Sequence, residues 1–136
     1  MKERTLPAVK ENIPEIIAWI EQELEALDCG MRAQMQIDVA LDELMANIAG
    51  YAYGDGAGNM TVRFSFDEPS DTAVITLVDR GVPFDPLSAD DPDVSRPVEM
   101  REAGGLGIFL VKKTMDKVEY RREDGCNMLT IRKRIR

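Results

Sequence analysis

No histidine occurs anywhere in the sequence. That excludes imidazole metal ligands, Ser-His and Cys-His nucleophilic pairs, and phosphorelay through a histidine of this chain. Cysteine is scarce. Cys29 and Cys126 stand far apart, outside any CxxC pattern, and read as free thiols rather than a disulfide framework. Basic charge is in deficit: 17 Lys and Arg face 25 Asp and Glu, for a net charge of −8. A nucleic-acid surface needs a basic stripe. The one basic cluster, Arg132 to Arg136, has the pattern of a strand edge and tail. The opening MKERTLPAVKENIP has no apolar signal core, and no later run approaches a membrane span. The expectation is a cytoplasmic protein with no nucleic-acid and no membrane partner. No repeat or low-complexity tract divides the chain, so residues 1–136 are expected to form one domain.

What is present reads as helices followed by strands. Residues 1–10 can form a short strand anchored by Leu6 and Val9. Asn12 and Glu15 have the spacing of a capping arrangement, with Pro14 tolerated in the first helical turn. Ile13, Ile16, Ile17, Ile20, Leu24 and Leu27 trace one helical face, and Gly30 is the expected stop. A second helix is predicted over Arg32 to Ala49, with Ile37, Leu41, Leu44 and Ile48 as its apolar stripe. The glycine-rich segment 54–58 reads as a flexible connection. Val62, Phe64 and Phe66 alternate with polar residues as in a half-buried strand, whereas Ala73 to Val78 is nearly all apolar, as in a central one. Gly104-Gly105-Leu106-Gly107 opens a third helix, with Ile108, Leu110, Val111 and Met115 available for the core. Val118 and Tyr120, the Asp124-Gly125 turn, and Leu129 and Ile131 complete a hairpin. This order predicts an α+β two-layer α/β sandwich: a mostly antiparallel sheet covered on one face by three helices.

Three features carry possible chemistry. Glu43 and Asn47 lie one helical turn apart beside the apolar stripe. The Asn carbonyl oxygen suits a hard cation such as Mg²⁺, and the Glu can take a proton from an attacking hydroxyl or water, but the same pair also fits a solvated face. Asp79, just past the central strand, can accept a hydrogen bond from an exocyclic amine, with Gly81 leaving room for a flat ring; a simple turn reads the same way. The Gly104–Gly107 run can present backbone N–H groups to an anion or merely start a helix in close packing. It matches neither GxxxxGK[ST] nor GxGxxG. Between the last two features, residues 82–103 carry four prolines and a run of Asp90, Asp91 and Asp93 without periodicity, as a functional lid often does.

In this order, ExxxN on a helix, DxG after a central strand, a long lid and GGLG opening a helix resemble the GHKL ATPase superfamily, with its Bergerat-type ATP fold. Within it, ALDELMANIAGYAY, VDRGVPFDP and GGLGIFLVKKTMDKVEY resemble the boxes of bacterial anti-sigma-factor serine/threonine kinases, over nearly the whole chain. The resemblance implies ATP and Mg²⁺ as cofactors. Glu43 would be the catalytic base toward a serine hydroxyl, and Asn47 would bind the Mg²⁺ bridging the ATP phosphates. Asp79 would hold the adenine amine, with Gly81 beside the ring. Gly104, Gly105, Leu106 and Gly107 would border the triphosphate, and Arg96 or Arg101 from the lid would reach the γ-phosphate. The implied partners are a sigma factor and a STAS-domain anti-anti-sigma protein, with a homodimer suggested by the same family. A non-catalytic ATP-binding module that switches partners is the competing reading, and retention of Glu43 favours the kinase. Two departures stand out. Ile48-Ala49-Gly50-Tyr51 replaces a stretch that often holds a histidine, and Cys126-Asn127 replaces a common Gly-Thr near the adenine pocket, where Asn127 is expected to supply the polar contact.

Overall fold

A computed structural model of the protein describes residues 1–54, 56–88 and 105–136. The chain opens with β1 (Lys2–Pro7), then runs through α1 (Ile13–Ala26), α2 (Met31–Asn47), β2 (Asn59–Asp67), β3 (Thr72–Asp79), α3 (Gly105–Thr114), β4 (Lys117–Glu123) and β5 (Cys126–Arg134). The strands form one sheet in the order β1-β2-β3-β5-β4, and every neighbouring pair is antiparallel. The α+β sandwich expected from the sequence is the observed architecture.

Alternation decides which side of the sheet meets the helices. Met60, Val62 and Phe64 of β2, Ala73, Ile75 and Leu77 of β3, and Leu129 and Ile131 of β5 are buried. They join Ile16, Ile20 and Leu24 of α1, Ile37, Leu41, Leu44 and Met45 of α2, and Val111 of α3 in one core. The other face is half-buried and tied by hydroxyl pairs, Thr5 with Thr61 at 2.8 Å and Thr76 with Thr130 at 2.9 Å. The continuous apolar run of β3 fits its central place, although only alternate residues are fully buried.

Five local expectations are corrected. Asn12 does not cap α1: it has helical angles, φ −91° and ψ −8°, because a 3-10 turn over Lys10–Asn12 runs straight into the helix. Its side-chain amide donates instead to the Pro7 carbonyl at 2.8 Å, and Glu15 pairs with Arg4 at 3.1 Å. Gly30 is not the stop of α1. Asp28 takes the left-handed angle there, φ 57°, while Gly30 is extended and forms the N-cap of α2. Val9 and Leu110 are exposed, and Ala8 fills the core next to β1. Finally, α2 ends at Asn47, two residues before the expected Ala49, and a π-helical turn, Ile48–Ala52, follows it directly. The Asp124-Gly125 turn behaves as expected, with φ 54° and 76° as a two-residue hairpin loop requires.

Candidate functional site

The β3–β5 register is the root of the site. It pairs Asp79 with Asn127 across the ladder, on the side of the sheet that faces the helices. Among the described residues, these two are the polar side chains that are buried, each 6% exposed. They sit at the base of a cleft that is open to solvent on one side. Asn47, at the end of α2, lines the same cleft, and Leu44, Ile48, Leu77 and Phe84 supply apolar walls. A concave, mostly apolar pocket with a few convergent polar groups is the usual form of a small-molecule site.

The π-helical turn brings Asn47 there. Its last residue, Ala52, accepts a hydrogen bond from Val82 N–H at 2.8 Å, which docks the end of α2 on the segment after β3. Gly81 is required by this contact. A Cβ there would lie 2.1 Å from the Ala52 carbonyl oxygen and 2.5 Å from its carbon. The room left by the missing Cβ of Gly81 is therefore taken by the Ala52 backbone. Gly81 N–H also donates to Asp79 Oδ1 at 2.9 Å and so fixes the carboxylate. Tyr53 closes the 54–58 connection: its ring lies against Gly58, where a Cβ would meet Cε1 at 2.2 Å, and its hydroxyl accepts from Arg80 N–H at 2.9 Å. Tyr51 stacks on Phe84 with centroids 6.1 Å apart.

Glu43 lies against the start of α3. A Cβ on Gly107 would come within 2.2 to 2.4 Å of its carboxyl atoms, so a side chain at that glycine would displace the carboxylate. Burial raises the Glu43 pKa above the usual carboxylate value, and the charge of neighbouring Asp42 adds to the rise. The carboxamide of Asn47 has no hydrogen-bond partner among the described residues. Gly105 begins α3 and is followed by Leu106, whereas Gly104, Arg96 and Arg101 lie outside the described residues, as does lid segment 89–103.

Asn127 is engaged on both sides of its carboxamide within the protein. Its Nδ2 donates to Asp79 Oδ1 at 2.9 Å and to the Val82 carbonyl at 2.8 Å. Its Oδ1 accepts from the Tyr120 hydroxyl and from Phe84 N–H at 3.4 Å. A carboxamide has two donors and two acceptor sites. All are used within the protein, which leaves none for direct contact with a base. Tyr120 was missed by sequence reasoning, although counting outward from the Asp124-Gly125 turn places it opposite Leu129 and on the face that Asn127 shares. Phe84 and Ala52 were missed because nothing local marks them as neighbours of the strand end.

A one-sided antiparallel sandwich with an aspartate at a central strand end and a helical asparagine facing it is the architecture of GHKL-type ATPase domains. The profile described as histidine kinase-like ATPase domain matches residues 6–133, and the chain belongs to that family. It is 32% identical over 95 residues to the serine-protein kinase RsbW of Bacillus cereus strain G9842, an alignment covering 67% of this chain and 58% of that protein. It is 28% identical over 120 residues to the serine/threonine-protein kinase BtrW of Bordetella bronchiseptica, covering 86% of this chain and 82% of that one. The chain thus spans little more than half of the RsbW protein but most of BtrW. The crystal structure of the RsbU and RsbW domains of a Mycobacterium tuberculosis protein superposes on 99% of this chain and 33% of that one, with a TM-score of 0.65 at 11% identity, and shares the fold. No described helix is long and apolar enough to cross a membrane.

Proposed function

We propose that this domain is a cytoplasmic ATP- and Mg²⁺-dependent serine/threonine protein kinase that phosphorylates a STAS-type anti-anti-sigma protein and, in its other state, sequesters a sigma factor. The observation that carries this reading is the convergence of Asp79 and Asn47 on one cleft, with Glu43 held against Gly107 at the first turn of α3. The relatives named as serine-protein kinases support the choice of reaction.

Asp79 Oδ1 is committed to Gly81 and Asn127, so Oδ2 is the oxygen offered to the adenine amine. Asn47 fits a magnesium ion: it carries one neutral oxygen that no described group engages, and no cluster of three or more acidic or thiol side chains occurs among the described residues. Mg²⁺ takes few protein ligands and completes its shell with phosphates and water. When bound, the ion neutralises charge on the phosphates, and positioning does most of the remaining work. Glu43 accepts the proton of the attacking serine hydroxyl, a task helped by burial, which raises its pKa above the usual carboxylate value. Gly105, Leu106 and Gly107, with Gly104 before them, border the triphosphate through their backbone N–H groups.

The test is transfer of labelled phosphate from ATP to a STAS-domain protein in the presence of Mg²⁺. Glu43→Gln is expected to retain ATP binding and to lose transfer by two orders of magnitude or more, about 10²-fold or greater. Unchanged transfer removes Glu43 as the base. Tight ATP binding with no transfer to any STAS protein, by wild type, replaces the kinase with a partner-switching module.

A further inference from the structure

We propose that Asn127 and Tyr120 are positioning residues that hold Asp79 as a one-oxygen acceptor, and that they thereby set the selection of a 6-amino over a 6-oxo purine. The inference rests on the reading of the cleft as an adenine nucleotide site.

The hydrogen-bond pattern around Asn127 can be satisfied in one orientation only. Phe84 N–H can only donate, so it must face the carboxamide oxygen; the Val82 carbonyl can only accept, so it must face the nitrogen. The nitrogen's second hydrogen therefore points to Asp79 Oδ1. Gly81 N–H meets the same oxygen. Two fixed donors on Oδ1 stop the carboxylate from swinging, and among the described residues Oδ2 has no partner. The base of the cleft thus presents one acceptor at a fixed point. An exocyclic amine satisfies it. A 6-oxo group at that point would set lone pairs against lone pairs, and a polar group left unpaired in a mostly apolar cleft is what gives such sites their discrimination. Tyr120 completes the assembly by donating to Asn127 Oδ1, which fixes the amide from the β4 side.

Asn127→Asp changes this logic without changing side-chain shape. It removes the donor to Asp79 and sets a second carboxyl group where Nδ2 stood, 2.9 Å from Oδ1. Carboxyl groups that close share a proton. Asp79 Oδ1 and the Val82 carbonyl then compete for that one proton where Nδ2 had supplied two hydrogens, so Oδ1 loses a fixed donor and the carboxylate is free to turn. Tyr120→Phe keeps the carboxamide and removes only its hydroxyl partner, so the same selectivity should loosen to a smaller extent.

The experiment measures dissociation constants of the full chain for ATP and for ITP with Mg²⁺ by calorimetry, with thermal denaturation of each variant beside them. Wild type is expected to favour ATP strongly. The ratio should fall by about tenfold or more in Asn127→Asp, chiefly through weaker ATP binding, and by a smaller factor in Tyr120→Phe. A ratio unchanged in both variants overturns the proposal, as does a loss of ATP and ITP affinity in equal proportion, which is what a purely structural role predicts. If Asn127→Asp does not fold, the Tyr120→Phe ratio decides alone. Wild type that binds neither nucleotide instead refutes the adenine-site reading itself, so the two failures are distinct.

Discussion

Gly81→Ala and Gly107→Ala make the same chemical change at two glycines whose missing Cβ atoms face different obstacles. At Gly81 the new atom would sit 2.1 Å from the Ala52 carbonyl oxygen and 2.5 Å from its carbon. Those are backbone atoms at the end of a helical segment, and the oxygen also accepts the hydrogen bond of Val82 at 2.8 Å. They must retreat by about 1 Å, an overpacking strain of about 1–3 kcal/mol, and the Val82 hydrogen bond, worth about 1 kcal/mol, is lost or stretched. The sum is about 2–4 kcal/mol, which for a domain of this size lowers Tm by about 10 °C. At Gly107 the obstacle is the carboxyl end of Glu43, at 2.2 to 2.4 Å. A flexible side chain rotates aside at little cost, and alanine within a helix regains about 0.5–1 kcal/mol over glycine. Gly107→Ala should therefore keep or slightly raise Tm. By the proposed mechanism it displaces the base, and phosphate transfer should fall by about 10²-fold. Circular dichroism melts and urea titrations of both variants, with transfer assays on the folded ones, measure the contrast. A Gly81→Ala protein as stable as wild type, or a Gly107→Ala protein less stable than Gly81→Ala, would refute the reasoning from these contacts.

Two further outcomes follow from other parts of the molecule. Asn47→Ala should weaken ATP binding in the presence of Mg²⁺ by about tenfold while leaving metal-free binding nearly unchanged; equal effects with and without the metal would assign Asn47 to the cleft wall only. On the opposite side of α2, the Asp38 carboxyl has its pKa raised from 3.8 to about 7 by burial and by the facing Glu21 of α1, and its Oδ1 is buried without a partner. The folded state therefore holds this proton more tightly than the unfolded chain, so the contribution is complete below about pH 4 and is lost as pH rises toward 7. The shift caps the effect at about 4 kcal/mol, and screening of a half-exposed side chain reduces it to about 1–2 kcal/mol. Asp38→Asn should be more stable than wild type at pH 8 by that amount and closer to it at pH 5. Urea denaturation at the two pH values measures this, and parallel pH profiles would refute it.

The sequence by itself determined whatever depends on neighbours within one element. The 3.6-residue repeat of Ile16, Ile20 and Leu24, the alternation of Val62, Phe64 and Phe66, and the Asp124-Gly125 turn each express local geometry, and all stand in the fold as read. Glu43 and Asn47 were visible for the same reason, since one helical turn separates them. The tertiary structure decided everything that hangs on β5 entering the sheet between β3 and β4. That long-range pairing sets Asn127 opposite Asp79, uses up its carboxamide, and brings in Tyr120 from the next strand. It was likewise the docking of Ala52 on Gly81, not a property of either segment, that set a backbone contact at that glycine. Periodicity reports which way a side chain points along its own strand or helix; which group it meets is fixed only when distant segments choose their register.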